Sequence, residues 1–503
     1  MFFKLNSAAA VGLDCLPVDV EVDISKGQTN FSIVGMADTA IKEAKDRIHS
    51  AIKNSGFEYP FNFRILINLA PADLPKEGSA YDLPMAVGMV LIGQEIRVDL
   101  DDALILGELA LDGAVRHING VLPIALFAKK NGIKKIFVPA MDAPEAGLVE
   151  GIIIYPVKDL KTVITHIVGD EQITPYRASL ESFEARSEYE TDMALIKGQE
   201  FAKRALEIAA SGGHNVILSG PPGSGKTLLA KTLPSILPAL TPDEALEVTK
   251  IYSVAGLLRG NLVRERPFRS PHHTASAPAL IGGGRIPRPG EISLAHRGVL
   301  FLDEFPEFPR FVTESLRQPL EDGVITVARA QGTLSFPARF ILVASQNPCP
   351  CGFASDPERP CVCPPGQITR YQQKVSGPLL DRIDLHVEVP RVPFEKLSGG
   401  DLAESSSNIR ARVEKARAIQ ARRFAGRGIH TNSEMRNVDL REFCQLEDSV
   451  LDLLRVATAQ MHLSARAFSR ILKVSRTIAD LDGSDKIQLA HAAEALQYRG
   501  KTD

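Results

Sequence analysis

The hydrophobic rhythm of the chain changes several times, and those changes divide it. Over residues 1–168 two patterns take turns. VDVEVDI and FRILINLA put apolar positions at the spacing of half-buried strands. DTAIKEAKDRIHSAIKNSG carries them at helical spacing and ends on a glycine stop. IKKIFVPA and GIIIYPV are short β-rich runs. A compact α/β domain is expected here. Residues 169–191, GDEQITPYRASLESFEARSEYET, are polar and acidic without a period and read as a linker. A second α/β segment is expected over 192–395. The turn-rich LSGGDLAESSSN follows, and 405–503 is helical in pattern.

Composition narrows the class. A chain of 503 residues suggests about two to four domains. With 44% apolar and 24% charged residues, each domain can bury a core of its own. The net charge of −3 offers no global positive field, so nucleic acid would have to meet a local basic patch. MFFKLNSAAAVGLDC has one lysine and no long apolar core, and no run has the length a membrane helix needs. The expectation is a cytoplasmic protein without membrane contact, whose thiols stay reduced.

The central segment carries the candidate chemistry. NVILSGPPGSGKTLLAKTL reads as strand, glycine loop and helix. Its loop, Gly220, Pro221, Pro222, Gly223, Ser224, Gly225, Lys226 and Thr227, fits the phosphate-loop pattern G-x-x-x-x-G-K-S/T. Backbone N–H groups of such a loop hold phosphates because glycine lets them approach closely. Lys226 then reaches the β and γ phosphates of ATP and the Thr227 hydroxyl ligates Mg²⁺. GVLFLDEF is an apolar strand ending in Asp303 and Glu304. Asp303 is the candidate for the Mg²⁺ shell, and Glu304 the candidate to orient or deprotonate water. FILVASQN brings Asn347 to the end of a third strand, as a water-positioning amide or as a strand-end cap. In SGPLLDRIDLHVEV, Arg382 sits between Asp381 and Asp384. It is either an arginine supplied to a neighbouring subunit's γ-phosphate or one arm of an intrachain salt bridge.

Four of the six cysteines, Cys349, Cys351, Cys361 and Cys363, fall in NPCPCGFASDPERPCVCPPG, directly after Asn347. Its prolines rule out a regular helix. Two C-x-C pairs can give four thiolates to one tetrahedral Zn²⁺, although C-x-x-C is the commoner spacing. Free buried thiols and a redox switch stay open. A bound zinc would be structural, stiffening a loop close in sequence to Arg382.

Several stretches carry a resemblance: IKGQEFAKRALEIAASGGHNVILSGPPGSGKT, RPFRSPHHTASAPALIGGG, PGEISLAHRGVLFLDEFPEF and SGPLLDRIDLHVEV. They resemble the YifB/ComM family of magnesium-chelatase-like AAA+ ATPases, over nearly the whole chain. The resemblance implies an α/β fold of three parts: an AAA+ P-loop core with a parallel sheet, an N-terminal Lon-protease-like domain and a C-terminal helical lid. It implies a homo-hexameric ring with ATP sites between subunits, Asn347 as sensor 1, Arg382 as the arginine finger and Arg466 at the sensor 2 position. In the N-terminal part, PKEGSAYDLP is similar to the serine loop of Lon, but Leu122-Pro123-Ile124 stands where Lon needs a lysine. Without a base nearby, Ser79 is a poor nucleophile, and a non-proteolytic module is expected.

The family is associated with DNA branch migration in natural transformation, so basic elements are of interest. GVITVARAQGTLSFPARF reads as a hairpin with Arg329 near its tip, and ALIGGGRIPRPG places Arg285 and Arg288 on a loop. From Ile409 to Arg427 run seven basic residues and one acid, a face that is either solvated or turned to DNA. Adjacent histidines point different ways on a strand or helix, so for His272 and His273 a structural role is expected ahead of metal ligation, and the sequence does not fix their role. The leading expectation is a DNA-acting ATP-driven motor, with a protein-remodelling ATPase as the alternative.

Overall fold

The computed structural model describes the chain except for residues 29, 37, 75, 77, 178–188, 190, 285–286, 330–331, 357, 393–402 and 500–503. Most of the expected linker, and Arg285, therefore lie outside the described residues. So does the side chain of Arg329. Two compact units emerge: Met1–Ala185 with Pro242–Val263, and Arg186–Thr241 with Arg264–Asp503.

The first unit is built on a seven-stranded mixed sheet. Phe2–Val11 and Asp14–Lys26 form a long antiparallel pair, and Phe63–Ala70 runs antiparallel to the second of them. Ala103–Ile105, Lys135–Pro139 and Ile153–Val157 extend the sheet in parallel from the first strand. Alternation places Val18, Val20, Val22 and Ile24 in the core, as period-2 patterning requires. The helix Thr39–Asn54 starts where the Asp38 carboxylate accepts from the Ile41 N–H at 2.8 Å. The Ser79 hydroxyl donates to the Glu108 carboxylate. The helix Pro242–Ala255, from within the 192–395 segment, packs in this first unit. Its Ser253 hydroxyl donates to Glu145 at 2.6 Å.

The second unit holds a five-stranded, all-parallel sheet. Its order is Phe268–Arg269, Val299–Leu302, Ile341–Gln346, Val216–Ser219, Leu385–Glu388. All four residues of Val299–Leu302 are buried. A parallel strand covered on both faces has no polar side to show, hence the unbroken run VLFL. The chain reverses strand order around Val216–Ser219, and open parallel sheets collect ligands at the carboxyl ends beside such a switch point. The helices Ser406–Arg423, Asp448–Gln460, Ala465–Leu481 and Leu489–Gln497 complete the unit. Ile409, Val413, Ile471 and Ile478 share a core with the sheet residues Val216 and Val343.

Candidate functional site

Three parallel strands deliver the candidate residues to one edge. The strand Val216–Ser219 leads into the glycine loop, and a helix starts at Lys226. Gly223 and Gly225 take φ values of +77° and +93°, where a side chain would be strained. Gly220 is needed for a different reason: a Cβ there would lie 2.1 Å from the Val389 carbonyl oxygen. The Lys226 ammonium donates to the carbonyls of Gly220 at 2.7 Å and Pro221 at 2.9 Å, and to Asn347 Oδ1 at 3.3 Å. Burial lowers its pKa, and the Asp303 carboxylate works against that. The Thr227 hydroxyl meets Asp303 Oδ2 at 3.1 Å.

A serine that sequence reasoning missed ties the acidic strand to its neighbour. The Ser345 hydroxyl donates to Asp303 Oδ1 and accepts from the Glu304 N–H at 3.2 Å. Glu304 itself sits at φ +54°, uncommon for a residue with a side chain, and its carboxylate is exposed. Lys226, Thr227, Asp303, Glu304, Ser345 and Asn347 all line one cavity of about 360 Å³. An ammonium, a hydroxyl paired with a carboxylate and the backbone N–H groups of a glycine loop suit a polyphosphate with a hard cation. A larger cavity of about 550 Å³ shares Pro222–Gly225 and Leu228 with it and adds Ile196, Glu358 and Arg391.

The family model described as "Magnesium chelatase, subunit ChlI" matches residues 192–397. Models for "Subunit ChlI of Mg-chelatase" and its C-terminal region match 20–142 and 403–499. Over 500 residues the chain is 44% identical to "Competence protein ComM" of Haemophilus influenzae, covering 98% of this chain and 96% of that protein. The chain belongs to the ComM/YifB family of magnesium-chelatase-like AAA+ proteins. "Uncharacterized protein YifB" of Escherichia coli is also 44% identical over 501 residues, with the same two shares. A shorter match, 27% identical over 173 residues, joins 31% of the chain to 52% of the magnesium-chelatase 38 kDa subunit of Cereibacter sphaeroides. Membership in this family points to an ATPase that uses ATP with Mg²⁺.

Within the family framework, two candidate arginines stand apart from the cavity. Arg382 is buried and pairs with Glu321 at 2.5 Å, and it donates to the Pro378 carbonyl at 2.6 Å. Arg466 reaches the same Glu321 oxygen at 3.3 Å. The acids that flank Arg382 in sequence are taken by others. Asp381 holds Arg499 at 3.1 Å, and Asp384 holds Arg470 and His214. Asp384 is fully buried, which by itself would raise its pKa. Arg470 and His214 overcome that and hold the carboxyl far below the usual range.

His273 reaches the acidic strand from its other neighbour. The short strand Phe268–Arg269 pairs with Val299–Leu302, which carries SPHHT to the end of the acidic strand. His273 Nδ1 comes within 3.4 Å of Glu304 Oε2, with its ring 4.1 Å from that of His272. Nothing short of the strand pairing reveals this contact.

The basic stretch from Ile409 to Arg427 turns out to be engaged with the chain itself. Arg410 donates to Ser235, Arg412 pairs with Glu207 and Glu404, and Arg417 donates to Ala210. Arg423 pairs with Asp480 and Arg427 with Glu442. Most of its charge thus fastens the helix in place. Arg288 is exposed, at the end of a two-residue ladder with Gly282–Gly283. The hairpin is present, as Val324–Arg329 paired with Gly332–Pro337.

The four clustered cysteines converge. Cys349, Cys351 and Cys361 have sulfurs 3.3 to 3.6 Å apart, and all four ligand atoms lie within 4.8 Å of one another. All are free thiols. Sulfurs of a tetrahedral zinc site stand about 3.8 Å apart, given Zn–S bonds of ~2.3 Å. Backbone N–H groups of Phe353 and Val362 point at Cys351 and pull its pKa down to about 6. The loop's contacts run to Pro222 of the phosphate loop and to Arg391, whereas Arg382 is held elsewhere, by Glu321 and Pro378. Within one chain, folding brings the loop to the phosphate loop.

Proposed function

We propose that copies of this chain form a hexameric ring that hydrolyses ATP between neighbouring subunits and drives DNA movement, including branch migration at recombination intermediates. The observation that carries the ATPase half is the meeting of Lys226, Thr227, Asp303, Glu304 and Asn347 in one cavity. Lys226 and the backbone N–H groups between Gly223 and Thr227 bind the phosphates. Thr227 and Asp303 hold Mg²⁺; their two oxygens, 3.1 Å apart, are the hard donors that ion takes. When bound, Mg²⁺ neutralises phosphate charge. Glu304 accepts a proton from the attacking water, and Asn347 orients that water. Arg382 serves a neighbour's triphosphate and Arg466 holds the sensor 2 position; in the single chain both lie outside this cavity's lining, and Arg382 makes the intrachain pair with Glu321 that is its alternative reading.

His273 acts through Glu304, as a positioning residue. His273→Ala is expected to lower kcat about 10- to 100-fold while KM for ATP stays within a factor of about two. An unchanged kcat in steady-state phosphate release would remove that role.

The four thiols hold one Zn²⁺ in a closed, structural site, with no open position for catalysis.

The DNA half rests on full-length similarity to a competence protein and on the hairpin that carries Arg329. It is tested by the ATPase rate with no DNA, single strands, duplex and a four-way junction. Stimulation by DNA, weakening as salt rises, is expected. A rate equal in all four conditions overturns the DNA reading and favours the second one, remodelling of a protein partner. Two observations speak for that alternative: similarity to a magnesium-chelatase subunit, and the internal pairing of the basic helix.

A further inference from the structure

We propose that the cysteine knuckle forms one wall of the larger cavity beside the phosphate loop, so that the metal it holds sets the affinity for adenine nucleotide. This rests on the zinc reading of the four thiols.

Three contacts join the knuckle to the cavity. Gly352, at φ +85°, lies so close to the phosphate loop that a Cβ would come 2.5 Å from Pro222 Cδ. Glu358, from the middle of the knuckle, lines the cavity together with Ile196, Leu228 and Gly223. Arg391, another lining residue, is held from the knuckle side. Its Nε is 2.8 Å from the fully buried carboxylate of Asp356, and its guanidinium sits 5.9 Å from the Phe353 ring centre. Arg359 stands 5.0 Å from the same ring.

The cavity therefore has two halves of different origin. Its phosphate half, Gly223 to Gly225, belongs to the strand–loop–helix unit. The other half adds apolar side chains, Ile196 and Leu228, fit for the face of a base, and it is closed by Glu358 and Arg391. The knuckle that places those two has neither helix nor strand among the described residues from Asn347 to Pro364. Its Val362 is 82% exposed and Cys349 is its only buried cysteine, so it has little apolar core. A segment like this takes its order from its metal. Loss of the metal frees Asp356 and Glu358, releases Arg391 from its position and opens the base side. Preorganisation, and with it affinity, falls.

The test uses the full-length protein, elemental analysis and titration with a fluorescent ADP analogue. Four samples are compared: protein as purified; protein stripped with an organomercurial and chelator; stripped protein reloaded with Zn²⁺; and Asp356→Ala, which keeps all four thiols but cuts the tie to Arg391. About one zinc per chain is expected, with Kd rising about tenfold on stripping, recovering on reloading, and rising in Asp356→Ala with its zinc retained. Far-UV spectra establish that the fold persists. If zinc is present and Kd is the same in all four samples, the coupling is overturned and the zinc site stands. If no sample takes up zinc, the zinc reading falls and this inference with it. A chain that carries zinc but binds no nucleotide in any sample overturns both the coupling and the ATPase reading.

Discussion

Glu304→Gln should bind ATP with nearly unchanged affinity and hydrolyse it about 10²- to 10⁴-fold more slowly. The substitution keeps the size of the side chain and removes its basicity. Glu304 makes none of the contacts that bind Lys226 or pair Thr227 with Asp303, so phosphate binding should be spared. Its backbone N–H, bonded to Ser345, is also unaffected. Lys226→Ala gives the contrast: the ammonium disappears from the loop and nucleotide binding itself fails. Nucleotide titration and phosphate release separate the two variants. Turnover near that of the unaltered protein in Glu304→Gln would take the proton-accepting role away from this residue.

Arg382→Ala should leave nucleotide binding intact and reduce turnover about 10³-fold or more in an assembled ring, the size of effect seen when a charge-stabilising arginine is removed. Unfolding is not the expected cause. Glu321 is partly exposed and keeps Arg466 as a partner at 3.3 Å, so no buried charge is left uncompensated. The melting temperature should move by only a few degrees. When altered and unaltered subunits are mixed, activity should fall more steeply than the fraction of altered chain, because each arginine serves the site next door. A strictly linear fall would mean that each site is complete within one subunit.

The phosphate loop was legible in the sequence because its chemistry is local. A short apolar strand, glycines where side chains cannot fit, and Lys226-Thr227 at a helix start are all set by neighbours along the chain. Fold class was legible for a related reason: period-2 and helical spacing reflect which face of each element meets the core, as at Val18–Ile24 and Thr39–Asn54. The cysteine cluster was visible as two C-x-C pairs, but its neighbours were not.

Contacts made across strands and loops needed the tertiary structure. Ser345 reaches Asp303 only because Ile341–Gln346 lies beside Val299–Leu302. His273 meets Glu304 only because Phe268–Arg269 adds to the far side of that strand. Glu321 is 61 residues from Arg382, too far for any spacing rule to connect them. The basic run after Ile409 shows the same principle in reverse. Its charge is plain in the sequence, but whether a charge faces solvent or a buried partner depends on what packs against it. Local propensity and periodicity are written residue by residue; which carboxylate an arginine meets, and which loop a knuckle leans on, is decided when distant segments pack.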